Sequence, residues 1–319
     1  MFAPNLNVLA RFAFQQPAEF FPGFFGTFHE LLAVMPANPV VHEMKVNGIA
    51  RVREYLEQEK PDAVISMFSV AGGVSAEVAP SATTATVEIG FDARSTWLHP
   101  ETDIHFTSCR EVREQLTVRG VAWDRTVVSG VPIREEFADK IAKADCRRPL
   151  GLAERFTVML TPVYSSPAEV RELVLRLLGT GVQVALIAGR NEKLLAKVAD
   201  LSDNNEMLEM YEFVEDMHRM MQAADVLLGK AGELTVVEAL AVGLPPVMCA
   251  PIPGQEVHSV DFLVNYGAGL VSRDEDDVVE KIRFLSMHPE RLEQLSVNAS
   301  ALGKRVAAQN VCERVLAAL

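Results

Sequence analysis

Cysteine is scarce: Cys109, Cys146, Cys249 and Cys312 are the four in 319 residues. They are scattered, without metal or redox spacing. That excludes a disulfide scaffold and a cysteine zinc site, and fits reduced thiols in a cytoplasmic protein. No apolar run approaches the roughly 20 residues that span a bilayer. The N-terminus has no basic segment ahead of a clean apolar core, so no secretory signal is expected. Positive charge is also short, with 30 Lys and Arg against 43 Asp and Glu and a net charge of −13. That balance argues against general nucleic-acid binding, although a local patch can still meet a membrane surface. The chain lacks a GxGxxG turn, a P-loop lysine motif and a Ser-His-Asp signature. Asp103, His105, His218 and His258 form no metal-ligand spacing, and neither an internal repeat nor a low-complexity tract is present.

Apolar residues make up 49% of the chain, enough for the cores of one or two domains. Val46, Ile49, Val52 and Leu56 share a helical face. Strand patterns follow at 63–67, 84–89, 104–107 and 126–128, with a helix over 111–118. The charged stretch 134–155 carries little apolar pattern and is read as a domain linker. The alternation then restarts, with strands at 156–160, 182–189, 226–228 and 246–250, a helix through Val170, Leu173, Val174 and Leu177, and helices near 275–287 and 297–318. Alternating strands and helices imply parallel α/β sheets. The expectation is two Rossmann-like domains facing a cleft, over residues 1–140 and 141–319. Half of the sixteen phenylalanines fall within residues 1–35, interrupted by Pro17, Pro22, Gly23 and Gly26. Two readings stand. The rings are buried in a helix-loop core, or Phe21, Phe24 and Phe25 form an apolar surface that dips into a bilayer or holds an acyl chain.

The most informative stretch runs from Gly229-Lys230-Ala231-Gly232-Glu233-Leu234-Thr235 through Glu238, followed by Pro251-Ile252-Pro253-Gly254-Gln255-Glu256. A glycine-bearing turn feeds a helix, and a buried strand then leads to a polar turn. In a parallel sheet both turns open at the carboxyl ends of the strands. The N–H groups and positive dipole end of the helix favour a phosphate. Glu238, Gln255 and Glu256 suit a hydroxyl-rich ligand. A nucleotide-sugar fits all of these features.

With these residues in view, the chain resembles glycosyltransferase family 28, most of all its diacylglycerol glycosyltransferases. The resemblance covers about residues 45–285 and is firmest over 229–269. Pro61-Asp62-Ala63-Val64-Ile65-Ser66, Trp97-Leu98-His99-Pro100 and Gly130-Val131-Pro132-Ile133-Arg134 support it. It implies a fold of the type called GT-B, with a C-terminal domain for a UDP-sugar and an N-terminal domain for a lipid acceptor at the membrane surface. Glu238 would bond the ribose hydroxyls. Gly232, Leu234 and Thr235 would present donors to the diphosphate, with Lys230 close by. Gln255 and Glu256 would hold sugar hydroxyls, and Phe213 and Val214 would sit by the uracil. The implied reaction transfers a hexose to an acceptor hydroxyl with inversion, using the UDP-sugar as co-substrate and neither cofactor nor metal. The implied location is cytoplasmic, peripheral at the inner face of the membrane.

Three departures stand out. The family's opening strand and Gly-His turn, which carries its leading candidate base, has no counterpart before Val46, so the expectation is a truncated first domain. The loop Thr161-Pro162-Val163-Tyr164-Ser165-Ser166-Pro167 replaces a glycine-rich turn, and proline removes N–H donors. Glu233 stands where the family has a second glycine, beside the expected diphosphate. The remaining base candidates are Asp92, after the strand ending near Ile89, and His99, whose ring titrates near neutrality. Two alternatives therefore stay open: a catalytically impaired partner or regulatory subunit, and a UDP-sugar epimerase or hydrolase.

Overall fold

Short apolar runs separated by amphipathic stretches build two parallel sheets in a computed structural model. It describes residues 50–94, 98–99, 101–161, 166–230, 232–249, 251 and 256–319. Phe21, Phe24, Phe25 and Gln255 lie outside the described residues. These residues fall into two units: those up to Ile133 with 256–258 and Val306–Leu319, and Arg134–Pro251 with Ser259–Arg305.

The first unit runs α1 (Ala50–Glu59), β1 (Ala63–Ser66), α2 (Ser69–Val78), β2 (Thr83–Glu88), β3 (Ile104–Thr107), α3 (Arg110–Val118) and β4 (Thr126–Val128). Its strands pair in parallel in chain order. Side chains alternate across a strand, so each face has its own chemistry. Ala85 and Val87 of β2 lie beside Ile104 and Phe106 of β3 on an apolar face. Thr84, Thr86 and Glu88 share the other face with His105 and Thr107, all buried. Helix α2 packs against β1 and β2. It comes close because Gly72 has no side chain; a Cβ there would strike the Thr86 methyl group.

The second unit runs α4 (Lys143–Arg147), β5 (Thr157–Leu160), α5 (Pro167–Leu178), β6 (Gln183–Ile187), α6 (Glu192–Ser202), β7 (Leu208–Tyr211), α7 (Met217–Ala223), β8 (Val226–Gly229), α8 (Glu233–Val242) and β9 (Pro246–Cys249). Then come α9 (Val257–Asn265), β10 (Leu270–Ser272), α10 (Glu275–Met287) and α11 (Pro289–Leu302). The six parallel strands lie in the order β10-β9-β8-β5-β6-β7. The central strands are buried on both faces, which explains their unbroken apolar runs. Val158, Leu160, Leu173, Leu177, Leu186 and Ile282 belong to one core, each side chain contributing about 1.5–3 kcal/mol on full burial. Asn191 accepts from Leu194 N–H and caps α6, and Asp274 caps α10 through Asp277 N–H.

Three expectations change. Residues 134–155 are not a linker. They hold the 3₁₀ turn Glu135–Ala138 and α4, with Phe137 and Cys146 buried. Arg147, 4% exposed, donates to Ala223 O, and its Nη2 lies 2.8 Å from an Asp225 oxygen. Isolated turns of this length leave no periodicity to read. The expected helix 297–318 is split. Gly303 sits against the Leu240 carbonyl, and a separate helix α12 (Ala307–Leu316) follows. Val311 and Val315 of α12 cover the apolar face of β2 and β3, so these residues group with the first unit rather than the second. The division itself falls at Ile133/Arg134 instead of 140/141. Strands β7 and β10 lie outside the expected set, because as edge strands they are short and partly exposed. Among the described residues no helix is long and apolar enough to cross a membrane.

Candidate functional site

In the second unit β5 pairs with β6 on one side and with β8 on the other. The strand order reverses there, and open parallel sheets bind ligands beyond the carboxyl ends at such a reversal. The chain brings Thr161 and Gly229 together at this point. Thr161 N–H donates to Leu228 O at 3.0 Å. A Cβ on Gly229 would run into the Thr161 hydroxyl, so the two side chains compete for one space.

Helix α8 starts here. Gly232 is its N-cap and offers no side-chain bond. The first intrahelical bond runs from Val236 N–H to Gly232 O at 3.0 Å, so the N–H groups of the first turn point out of the helix end. Lys230 is half-buried, Leu234 is exposed and Thr235 is half-buried beside Gly232. Glu238 follows on the next turn. Burial pushes its carboxyl above the ordinary carboxylate range, and the Arg134 guanidinium opposes that rise. Glu233 occupies the first turn of α8, as the sequence implied.

Phe213, 61% exposed, and half-buried Val214 lie in the loop between β7 and α7. The Arg190 guanidinium lies 5.0 Å over the Phe213 ring, a cation–π contact the sequence did not announce. Arg190 follows Gly189, whose φ of +62° turns the chain out of β6.

Other expected site residues belong to the first unit. Glu256 is buried there, 7% exposed. Both Asp92 oxygens accept from Arg94 Nε at 3.2 Å, and the half-exposed His258 lies 3.8 Å from one of them. His99 is 6% exposed and sits by Gly72 of α2, and its carbonyl faces His105 Nε2 at 3.2 Å. A ring so buried fits a packing role better than direct contact with a substrate. His258 is a more accessible imidazole, already faced by a carboxylate.

Sequence reasoning missed one more group. His105 Nδ1 lies 3.2 Å from Thr86 Oγ1 and 3.5 Å from Glu88 Oε1. Burial pushes the Glu88 carboxyl up; His105 and Arg119 oppose this, and Asp92 adds to it. The available signal was a carboxylate inside an otherwise uncharged strand pattern, Thr83-Thr84-Ala85-Thr86-Val87-Glu88.

The sequence model of the Glycosyltransferase family 28 C-terminal domain matches residues 166–311. That of monogalactosyldiacylglycerol (MGDG) synthase matches residues 18–133. A processive diacylglycerol beta-glucosyltransferase of Bacillus pumilus is 26% identical over 278 residues, 84% of this chain and 72% of its own. Among solved structures, S. aureus MnaA with UDP aligns with a TM-score of 0.65 at 16% identity, over 85% of this chain and 80% of that one. Acinetobacter baumannii MurG aligns with a TM-score of 0.61 at 18% identity, over 88% and 79%. At these identities the likeness to the two structures is one of fold.

Proposed function

We propose that this chain, which matches the glycosyltransferase family 28 C-terminal domain over 166–311 and MGDG synthase over 18–133, is a glycosyltransferase that moves a hexose from a UDP-sugar to the hydroxyl of a diacylglycerol-like acceptor, with inversion. One observation carries this reading. The strand reversal between β5 and β8 opens onto the N-terminus of α8, with Glu238 one turn behind it. The helix end and Lys230 receive the diphosphate, where positive potential stabilises both the bound donor and the charge that grows on departing UDP. Glu238 accepts from the ribose hydroxyls, and Phe213 and Val214 flank the uracil. Gln255 and Glu256 hold the sugar. Inversion needs the acceptor oxygen to attack the anomeric carbon opposite the leaving diphosphate while a base removes its proton. Asp92 and His99 are the base candidates for that step, and Asp92 is faced by His258. The acceptor's apolarity places the enzyme at the membrane face. Phe21, Phe24 and Phe25 are the candidates for lipid contact, and their replacement by serine is expected to weaken liposome association.

The first test is calorimetry of the purified chain with UDP, using ADP as control. UDP is expected to bind and ADP to bind more weakly. Glu238→Ala is expected to lower UDP affinity about 10–100-fold, as loss of hydrogen bonds to a charged group does. A folded protein that binds no UDP would sink the donor reading. Release of UDP from UDP-hexose in the presence of diacylglycerol vesicles then reports transfer, and release of free sugar without acceptor would instead indicate a hydrolase. Glu233 favours a second reading, a non-catalytic partner subunit, because a carboxylate in the first turn of α8 repels a diphosphate. Under that reading Glu233→Gly creates UDP binding that the native chain lacks.

A further inference from the structure

Arg134 is the first residue of the second unit and closes the stretch Gly130-Val131-Pro132-Ile133-Arg134. The 3₁₀ turn Glu135–Ala138 begins directly after it. Phe137 anchors that turn, 1% exposed, and its ring meets His218 of α7 edge-on at 6.1 Å. The same turn packs against α8. Arg134 therefore leaves a fixed point flanked by α7 and α8, with its guanidinium 5.7 Å over the Phe137 ring.

From there it acts in two directions. Its Nη2 donates to Glu215 O at 3.0 Å, fastening the loop that carries Phe213 and Val214. Its charge reaches Glu238 on α8 and favours the ionised carboxylate against the cost of burial. Among the described residues no ion pair joins the two, so the effect of Arg134 on Glu238 is one of charge and not of direct contact. The elements packed on α8 carry other charged or titratable groups: Glu135 and Glu136 beside Arg134, His218 and Arg219 on α7, and Glu290, Arg291 and Glu293 on α11. Among the described residues Arg134 is the charged group that acts on Glu238.

Resting on the donor site proposed above, we infer that Arg134 is a positioning and specificity residue for the donor nucleoside: it pins the base-side loop through Glu215 and keeps Glu238 as the carboxylate that selects a ribose with both hydroxyls. An ionised carboxylate accepts from two neighbouring hydroxyls at once. A protonated one accepts less and must donate its own proton. Diol recognition is therefore present above the Glu238 pKa and lost as pH falls through it. Removing the Arg134 charge leaves burial unopposed and moves that loss to higher pH.

The test is calorimetry of the full chain with UDP and with 2′-deoxy-UDP, from mildly acidic to mildly alkaline pH, with thermal melting as a check of folding. The native chain is expected to prefer UDP by about 10-fold or more, the effect of one hydrogen bond to a charged group. In Arg134→Met that preference is lost at a higher pH than in the native chain. Arg134→Lys, which keeps the charge, retains it. In a Glu238→Gln background Arg134→Met adds no pH dependence. If Arg134→Met weakens both ligands equally at every pH, the residue contacts phosphate and the inference is overturned. A lower melting temperature with the UDP preference unchanged leaves it a merely structural residue and also overturns the inference. A native chain that binds neither ligand removes the donor reading itself, a result distinct from the other two.

Discussion

Both oxygens of the Glu88 carboxyl are buried without a hydrogen bond among the described residues, yet one lies 3.5 Å from His105 Nδ1. The other ring nitrogen faces the His99 carbonyl and so carries its own hydrogen. A neutral ring would then turn a lone pair towards a charged carboxylate. A shared proton relieves that repulsion, and it agrees with the upward push of burial on Glu88. The linkage has a definite sign. A carboxyl whose folded pKa is raised stabilises the fold below its unfolded value of about 4.3, and that contribution is lost as pH rises through the folded value. Glu88→Gln keeps a donor towards Nδ1 and is expected to remove this part of the pH slope in denaturant unfolding. An unchanged slope would show that Glu88 is ionised throughout. Glu88→Ala leaves Nδ1 with Thr86 Oγ1 alone and opens a buried gap, and is expected to cost about 1–3 kcal/mol in the same assay.

At the scale of elements, the pinch between β5 and β8 yields a reversible prediction. Gly229→Ala drives a methyl into the Thr161 hydroxyl and is expected to cost about 1–3 kcal/mol, as overpacking does. Adding Thr161→Ala removes the obstacle and should restore most of the loss. Failure of the double variant to recover would mean that the backbone, not the hydroxyl, sets the limit. The segment first read as a linker gives the second test. Arg147→Met leaves the Asp225 carboxylate, 14% exposed, with Lys143 as its remaining cation and is expected to destabilise by about 1–3 kcal/mol. Urea unfolding checks it, and a change within error would return the segment to linker status. The contrast shows what the sequence made legible. Strands β5, β6, β8 and β9 are buried on both faces, so their apolar runs announce them. The start of α8 was legible because Gly229 and Gly232 break the strand pattern just ahead of a helical run. Edge strands β7 and β10 and the short α4 carry too few buried positions to set a period. The Glu88–His105 pair was hidden because the strands that hold it are brought together only by pairing, Thr86 and His105 standing 19 positions apart in the chain.

Across the whole molecule, the polypeptide does not give one stretch to each unit. It leaves the first after Ile133, comes back for 256–258 and returns again for Val306–Leu319. The helix α12 in that last stretch is amphipathic, and its buried valines complete the core of β2 and β3. Each valine side chain contributes about 1.5–3 kcal/mol. Ending the chain at Arg305, or combining Val311→Ser with Val315→Ser, is expected to abolish hydrogen-exchange protection of β2 and β3. Protection of β5, β6 and β8 should persist. Loss of both sets together would mean that the units unfold as one. The same threading sets an order in time. On the ribosome β2 and β3 are made early, but their covering helix emerges only after the second unit has been translated. The second unit can gather its six strands while the earlier sheet still shows Val87 and Phe106 to the solvent. Nascent chains usually fold from the N-terminal domain onward; here the unit translated earlier is completed after the one translated later, because α12 supplies part of its core.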